Sequence, residues 1–144
     1  MTSSSGARAP SWTPSQAANV ETVQTAIEAF NRGDMEAMLK IGYAEEFVYD
    51  WSRSNGPNRG IYRGVEGFME FIHDQWSTFD SVTLEAHDFI PNGDHVVVPT
   101  TTHGRGRQGV SVTAKSAQLY TFDGRRLVRI TLYQDRQHAL AAAS

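Results

Sequence analysis

Two glycine turns constrain this chain more than any other feature. Asn92-Gly93-Asp94 and Asp123-Gly124 both accept positive φ, the geometry of a tight hairpin. They divide the C-terminal half into long runs with the two-residue period of strands. Strands are expected near 81–90, 95–103, 110–122 and 126–134, with the segment from Gly104 to Gly109 as the remaining turn. Pro99 has no N–H to give to a ladder, so it implies an edge, a bend or a bulge.

The N-terminal half has the helical period instead. Val20, Val23, Ile27 and Phe30 recur at the three-and-four spacing of one buried face. Ser15 is the expected cap of this helix, and Gly33 its left-handed terminator. Asp34 then caps a short helix carrying Met35, Met38 and Leu39, which ends at Gly42. A third helix is predicted from Val65 to Trp76, with Val65, Phe68, Ile72 and Trp76 on one stripe and Phe71 beside it. Between the last two lie a short aromatic strand, Phe47 to Trp51, and a loop over 54–60. Ala139 to Ala143 suit a short terminal helix.

Helices followed by an antiparallel meander make an α+β class, not alternating βαβ. The expected architecture is a curved antiparallel sheet wrapped over three N-terminal helices, enclosing a cavity at its concave face. The 144 residues suffice for one domain, expected over 15–144 behind a flexible tail, 1–14. In that tail Trp12 either docks on the domain or is disordered. The tail has no apolar stretch after a basic start, so a secretory leader is not expected.

Composition excludes several classes. With no Cys, there is no disulfide framework, thiolate metal site or Cys nucleophile. Thirteen basic against sixteen acidic residues give a net charge of −3, which argues against a nucleic-acid partner. Runs such as Val96-Val97-Val98 are far too short to span a membrane. A soluble, cytoplasmic protein is expected. The five His are scattered without a paired-ligand spacing, so no metal or other cofactor is expected. The Gly104-Arg105-Gly106-Arg107-Gln108-Gly109 run lacks the strand-to-helix setting of a phosphate loop and reads as a hairpin. Its arginines could guard a cavity mouth.

Alternation selects the side chains that face inward. Val110, Val112, Ala114, Ser116, Gln118, Tyr120 and Phe122 form the more apolar face of their strand, as do Val128, Ile130, Leu132 and Gln134 of the last. Gln118 and Gln134 then stand on apolar walls, where an amide makes either a structural hydrogen bond or a ligand contact. The opposite face, with Ala117, Leu119 and Thr121, carries little charge and suits contact with a second copy, so a homodimer is expected. On the aromatic strand, Phe47, Tyr49 and Trp51 share one face and Val48 and Asp50 the other. Alternation alone puts the aromatics inside and Asp50 in water.

Several segments, in order, resemble the SnoaL-like polyketide cyclases and ketosteroid isomerases of the nuclear transport factor 2-like superfamily. They are Ala29-Phe30-Asn31-Arg32-Gly33-Asp34-Met35-Glu36, Phe47-Val48-Tyr49-Asp50-Trp51, Tyr62-Arg63-Gly64, Val96-Val97-Val98 and Tyr120-Thr121-Phe122-Asp123-Gly124. The resemblance covers about residues 19–140. It implies a cone-shaped α+β barrel, commonly a homodimer, that takes an apolar small molecule into the cone.

An ungapped count from Gly33-Asp34 puts the isomerases' general base on Asp50, turned into the cavity. Phe30, Trp76, Gln118 and Tyr120 become its expected substrate-binding neighbours. The same resemblance places the isomerases' oxyanion-hole Tyr on Ala26 and their protonated acid on Gln118, so one hydroxyl donor is lost and an amide replaces an acid. The final-strand aspartate of the cyclases and limonene epoxide hydrolases falls on Leu132, the last expected cavity residue. Asp135 matches a trailing acid and is expected to cap the terminal helix. Two functions follow: a proton-transfer enzyme of isomerase, cyclase or dehydratase type with Asp50 as base, or a non-catalytic small-molecule binder or accessory domain. Asp50 favours the first, and the missing donors and acid favour the second.

Overall fold

A computed structural model describes residues 11–56 and 58–144. The element order is α1 (Pro14–Arg32), α2 (Met35–Leu39), β1 (Tyr43–Asp50), β2 (Ile61–Arg63), α3 (Gly64–Thr78), β3 (Ser81–Ala86), β4 (Ile90–Asn92), β5 (His95–Arg105), β6 (Ser111–Asp123), β7 (Arg126–Tyr133) and α4 (Arg136–Ala142). Residues 1–10 of the expected tail lie outside the described residues. From residue 11 the chain belongs to the fold. Trp12 packs partly buried against the main core. Thr13, not Ser15, caps α1: its side chain accepts from Gln16 N while Gln16 Oε1 accepts from Thr13 N. Pro14 follows at the first helical position, where its missing N–H costs nothing.

Gly33, at φ 69°, ends α1 in the left-handed region, and the Asp34 side chain caps α2. At the other end of the chain, Asp135 accepts from His138 N and starts α4.

The strands form one curled, unclosed sheet in the order β2-β1-β7-β6-β5-β3, with β4 also on β5. One feature departs from a purely antiparallel sheet: β1 pairs with β7 in parallel, Tyr49 opposite Ile130 and Asp50 opposite Thr131. Pro99 sits within β5. Its carbonyl accepts from His87 N, so its missing N–H faces the side on which the ladder is interrupted. There β3 ends opposite Thr100 and β4 begins opposite Val97. The proline thus falls at the gap between two partner strands.

Alternation in β5 explains the two cores. Val96 and Val98 turn to the concave face and join the cluster under α1 and α3, which contains Val23, Phe47, Phe68 and Ile130. Val97 turns the other way and packs with Ala117, Leu119 and Ala139 beneath α4. This corrects one expectation. The Ala117–Leu119 face is weakly charged because the chain's own terminal helix covers it, not because it awaits a second subunit. The inward face of β6 holds its direction, but its first part runs past the core: Val110 and Val112 are 60% and 46% exposed.

Candidate functional site

The concave face encloses an inner chamber of about 70 Å³. Its walls are Phe30 and Ile27 of α1, Phe71 of α3, Tyr49 of β1, and Tyr120 and Ile130 of the long strands. A larger outer cavity of about 360 Å³ adjoins it and shares Trp51, Gln75, Val82 and Thr102 with it. The outer walls are more polar. They include Ser54 and Asn55 of the loop after β1, Ser116 of β6, and Leu132 and Gln134 at the end of β7.

The aromatic wall follows from the period of β1. Tyr49 lies 4.5 Å from Phe68 and 5.0 Å from Phe71 between ring centroids, and Trp51 stacks on Tyr49 at 5.2 Å. These contacts lock β1 against α3 and turn every second side chain of the strand toward the cavity.

Three buried polar groups meet in the inner chamber. Tyr120 Oη donates to Gln118 Oε1 at 2.5 Å. That bond leaves Gln118 Nε2 as a donor without a hydrogen-bond partner among the described residues, although the side chain is 5% exposed. The Tyr49 hydroxyl is likewise without a hydrogen-bond partner among them. Burial pushes the Tyr49 phenol well up, with Tyr120 and Tyr62 adding to the shift. Tyr120 is also raised by burial, and Tyr43 adds to it. Both phenols therefore stay neutral and can donate at any ordinary pH. A chamber with apolar walls and converging donors suits an acceptor oxygen on an otherwise apolar molecule.

The expected cavity residues separate into groups. Phe30, Gln118 and Tyr120 line the inner chamber, and Leu132 lines the outer cavity. Trp76 lies 5.9 Å from the Phe30 ring but lines a different hollow, between the ends of α1 and α3 and strand β3. Asp50 is not brought to any of them.

Asp50 is buried, at 4% exposure, yet it faces the opposite side of the sheet. Its neighbours Tyr49 and Trp51 take the cavity side, and its own carboxylate is fully engaged elsewhere. Oδ1 accepts from Ser52 N at 3.0 Å and from Ser52 Oγ at 2.6 Å. Oδ2 accepts from Arg129 Nη2 at 2.6 Å and lies 3.5 Å from Arg53 Nη1. Burial acts to raise this carboxyl's pKa, but the Ser52 and Arg129 hydrogen bonds outweigh it, and the net shift is downward. An anion held this way is a poor base. The ungapped count failed because β1 is irregular: the six residues from Tyr43 to Val48 run beside only three, from Leu127 to Arg129. A count through such a segment does not preserve which face a residue takes.

Sequence reasoning missed the contributions of Gln75 and Thr102. The inward period of β1 pointed to Tyr49. Nothing local distinguished Gln75 or Thr102 from surface residues.

Residues 23–130 match the family model of the SnoaL-like domain. The chain belongs to that family. Solved structures agree on the fold of this SnoaL-like domain. An NTF2-like protein of unknown function from Burkholderia pseudomallei K96243 superposes with a TM-score of 0.71 at 23% identity, over 88% of this chain and 98% of the other. TerC, co-crystallised with polyporic acid, gives 0.70 at 20% identity, over 88% and 97%. A protein with a ketosteroid isomerase-like fold from Catenulispora acidiphila DSM 44928, in complex with trimethylamine, gives 0.69 at 16% identity, over 85% and 92%. No curated protein matches the sequence. Among the described residues, no helix is long and apolar enough to cross a membrane.

Proposed function

We propose that this SnoaL-like domain binds an elongated, mainly apolar small molecule, with an acceptor oxygen set against Gln118 in the inner chamber and its body in the outer cavity. The carrying observation is the chemistry of the walls. Among the described residues, neither adjoining cavity is lined by an Asp, Glu or His, the outer one carries Lys115 alone as a charged group, and Gln118 Nε2 and the Tyr49 hydroxyl have no hydrogen-bond partner. General acid–base catalysis needs a titratable group within hydrogen-bond reach of the reacting proton. The acid that the family resemblance singled out, Asp50, is committed to Arg129 on the far face, and burial holds the Tyr49 and Tyr120 phenols protonated. Binding without proton transfer is therefore the better reading. Two structural neighbours that hold small organic molecules, polyporic acid and trimethylamine, fit it.

We keep the homodimer as part of this proposal. Its support is the family resemblance together with the exposed Val110 just before β6. Sedimentation at twice the 16.0 kDa chain mass is the expected result, and a concentration-independent monomer rejects it.

A bicyclic ketone, 2-acetylnaphthalene, tests the binding reading. It should quench tryptophan emission saturably at one equivalent, because Trp51 lines both cavities. Ala26→Phe, which fills the inner chamber, should abolish the effect. Equal quenching in the filled variant would reject the site.

A further inference from the structure

The Asp50 carboxylate has no part in the cavity, yet four contacts converge on it, three from the chain just after β1 and one from β7. Ser52 and Arg53 belong to the segment that leaves β1, and Arg129 belongs to β7. Beyond Ser52 the segment turns back over the outer cavity, where Ser54, Asn55 and Gly56 form part of the wall. A second attachment lies at the end of β7. Gln134 Nε2 donates to the Arg53 carbonyl, and Gln134 Oε1 accepts from Asn55 Nδ2 at 3.2 Å. The Arg53 guanidinium also lies 4.8 Å from the Tyr133 ring centroid. The wall is therefore tied to β7 on both faces of the sheet. Gln134 holds it at the rim, and Asp50 holds it from behind.

We propose that Asp50 is a positioning residue that latches segment 51–56 to β7 through Ser52, Arg53 and Arg129, and so sets which ligands fit the outer cavity. The inference rests on the binding reading above and deepens it. A carboxylate can take charge-assisted bonds from a guanidinium and a hydroxyl at once, which an amide of the same shape cannot match. Neutralising it frees the wall of the outer cavity and leaves the Gln118–Tyr120 pair in place. The latch therefore acts on long ligands and not on short ones.

The test compares two aromatic ketones by titration calorimetry. Acetophenone is short enough for its contacts to centre on the inner chamber, and 2-acetylnaphthalene reaches further toward the rim. In Asp50→Asn, affinity for the longer ketone should fall by roughly tenfold, the loss of one good hydrogen-bonded contact, while the shorter changes by less than about twofold. Hydrogen exchange at Ser52 N and Ser54 N should accelerate in the same variant without ligand. Arg129→Gln breaks the latch from its half-exposed partner and should give the same pattern, which keeps the test decisive if the first variant folds poorly. An equal fall for both ketones would mark a merely structural role and overturn the proposal, as would no change in either. Failure of the wild-type chain to bind either ketone overturns the binding reading and this inference with it. Intact binding with unchanged discrimination overturns the latch alone.

Discussion

Arg129 Nη2 stands 2.6 Å from Asp50 Oδ2, on the face of the sheet turned away from the cavity. That one pairing decides between two readings of the same acid. Facing the chamber, Asp50 would be a base in an apolar pocket. Paired as it is, it is a structural anion. Its folded pKa lies below the ordinary 3.8, so its contribution to stability is complete above the unfolded value, near pH 4. The contribution is lost as pH falls through the lowered folded value. Asp50→Asn should lower unfolding stability at pH 7 by about 1–3 kcal/mol, the usual worth of hydrogen bonds to a charged group. Below the lowered folded value the difference from wild type should shrink towards zero. Urea unfolding between pH 2.5 and pH 7, roughly bracketing that range, measures it, and a pH-independent difference would contradict the assignment.

Gln118 is the polar centre of the chamber. Gln118→Leu removes the free donor and the acceptor of the Tyr120 hydroxyl together. Affinity for 2-acetylnaphthalene should fall by about 1–2 kcal/mol, with a stability loss of similar size from the orphaned phenol. Gln118→Leu with Tyr120→Phe should recover the stability and not the affinity. Recovery of both would mean that the amide makes no ligand contact.

Gly104 lies directly against the Phe79 ring in the wall of the outer cavity. A Cβ placed there would stand 3.0 Å and 3.1 Å from two atoms of the Phe79 ring. Gly104→Ala should therefore displace the ring and lower stability by about 1–3 kcal/mol, as overpacking does. Phe79→Leu in the same chain should restore most of the loss. Thermal melts of the single and double variants test the coupling, and simple additivity would refute it.

Gly33 carries the break between α1 and α2 at φ 69°, with open space where a side chain would go. The cost of Gly33→Ala is thus conformational, roughly 1–2 kcal/mol, and not steric. Gly33→Asn should cost less, because Asn tolerates this region better. A similar loss for both by urea unfolding would contradict the purely backbone origin.

The legible parts of this chain were those governed by local periodicity. The stripe of Val20, Val23 and Ile27, the stop at Gly33, the cap at Asp135 and the inward places of Gln118, Tyr120, Ile130 and Leu132 all depend on residues a few positions apart; Val128 was misplaced, because a register shift between β6 and β7 gives the buried place to Leu127. Gln118 and Tyr120 were readable for that reason. Asp50 was not, because its environment is set by an irregular strand and by a parallel pairing to Arg129, 79 residues away. The local alternation of β1 gave its side correctly, and the longer count did not. The cover over Ala117 and Leu119 was hidden too, since only the folded path of the chain brings α4 back across β5 and β6. Trp76 shared the stripe of Phe68 and Ile72, but it lies near the end of α3 and turns to the hollow beside β3.

The proposed binding mode turns on one contact, between a ligand's acceptor oxygen and Gln118. The most direct measurement follows the side-chain amide protons of Gln118 in ¹⁵N-labelled protein during titration with 2-acetylnaphthalene. One Nε2 proton should shift downfield saturably, with the Arg129 side-chain signals unmoved. Binding that leaves the Gln118 amide unshifted, or that moves the Arg129 signals instead, would contradict that binding mode.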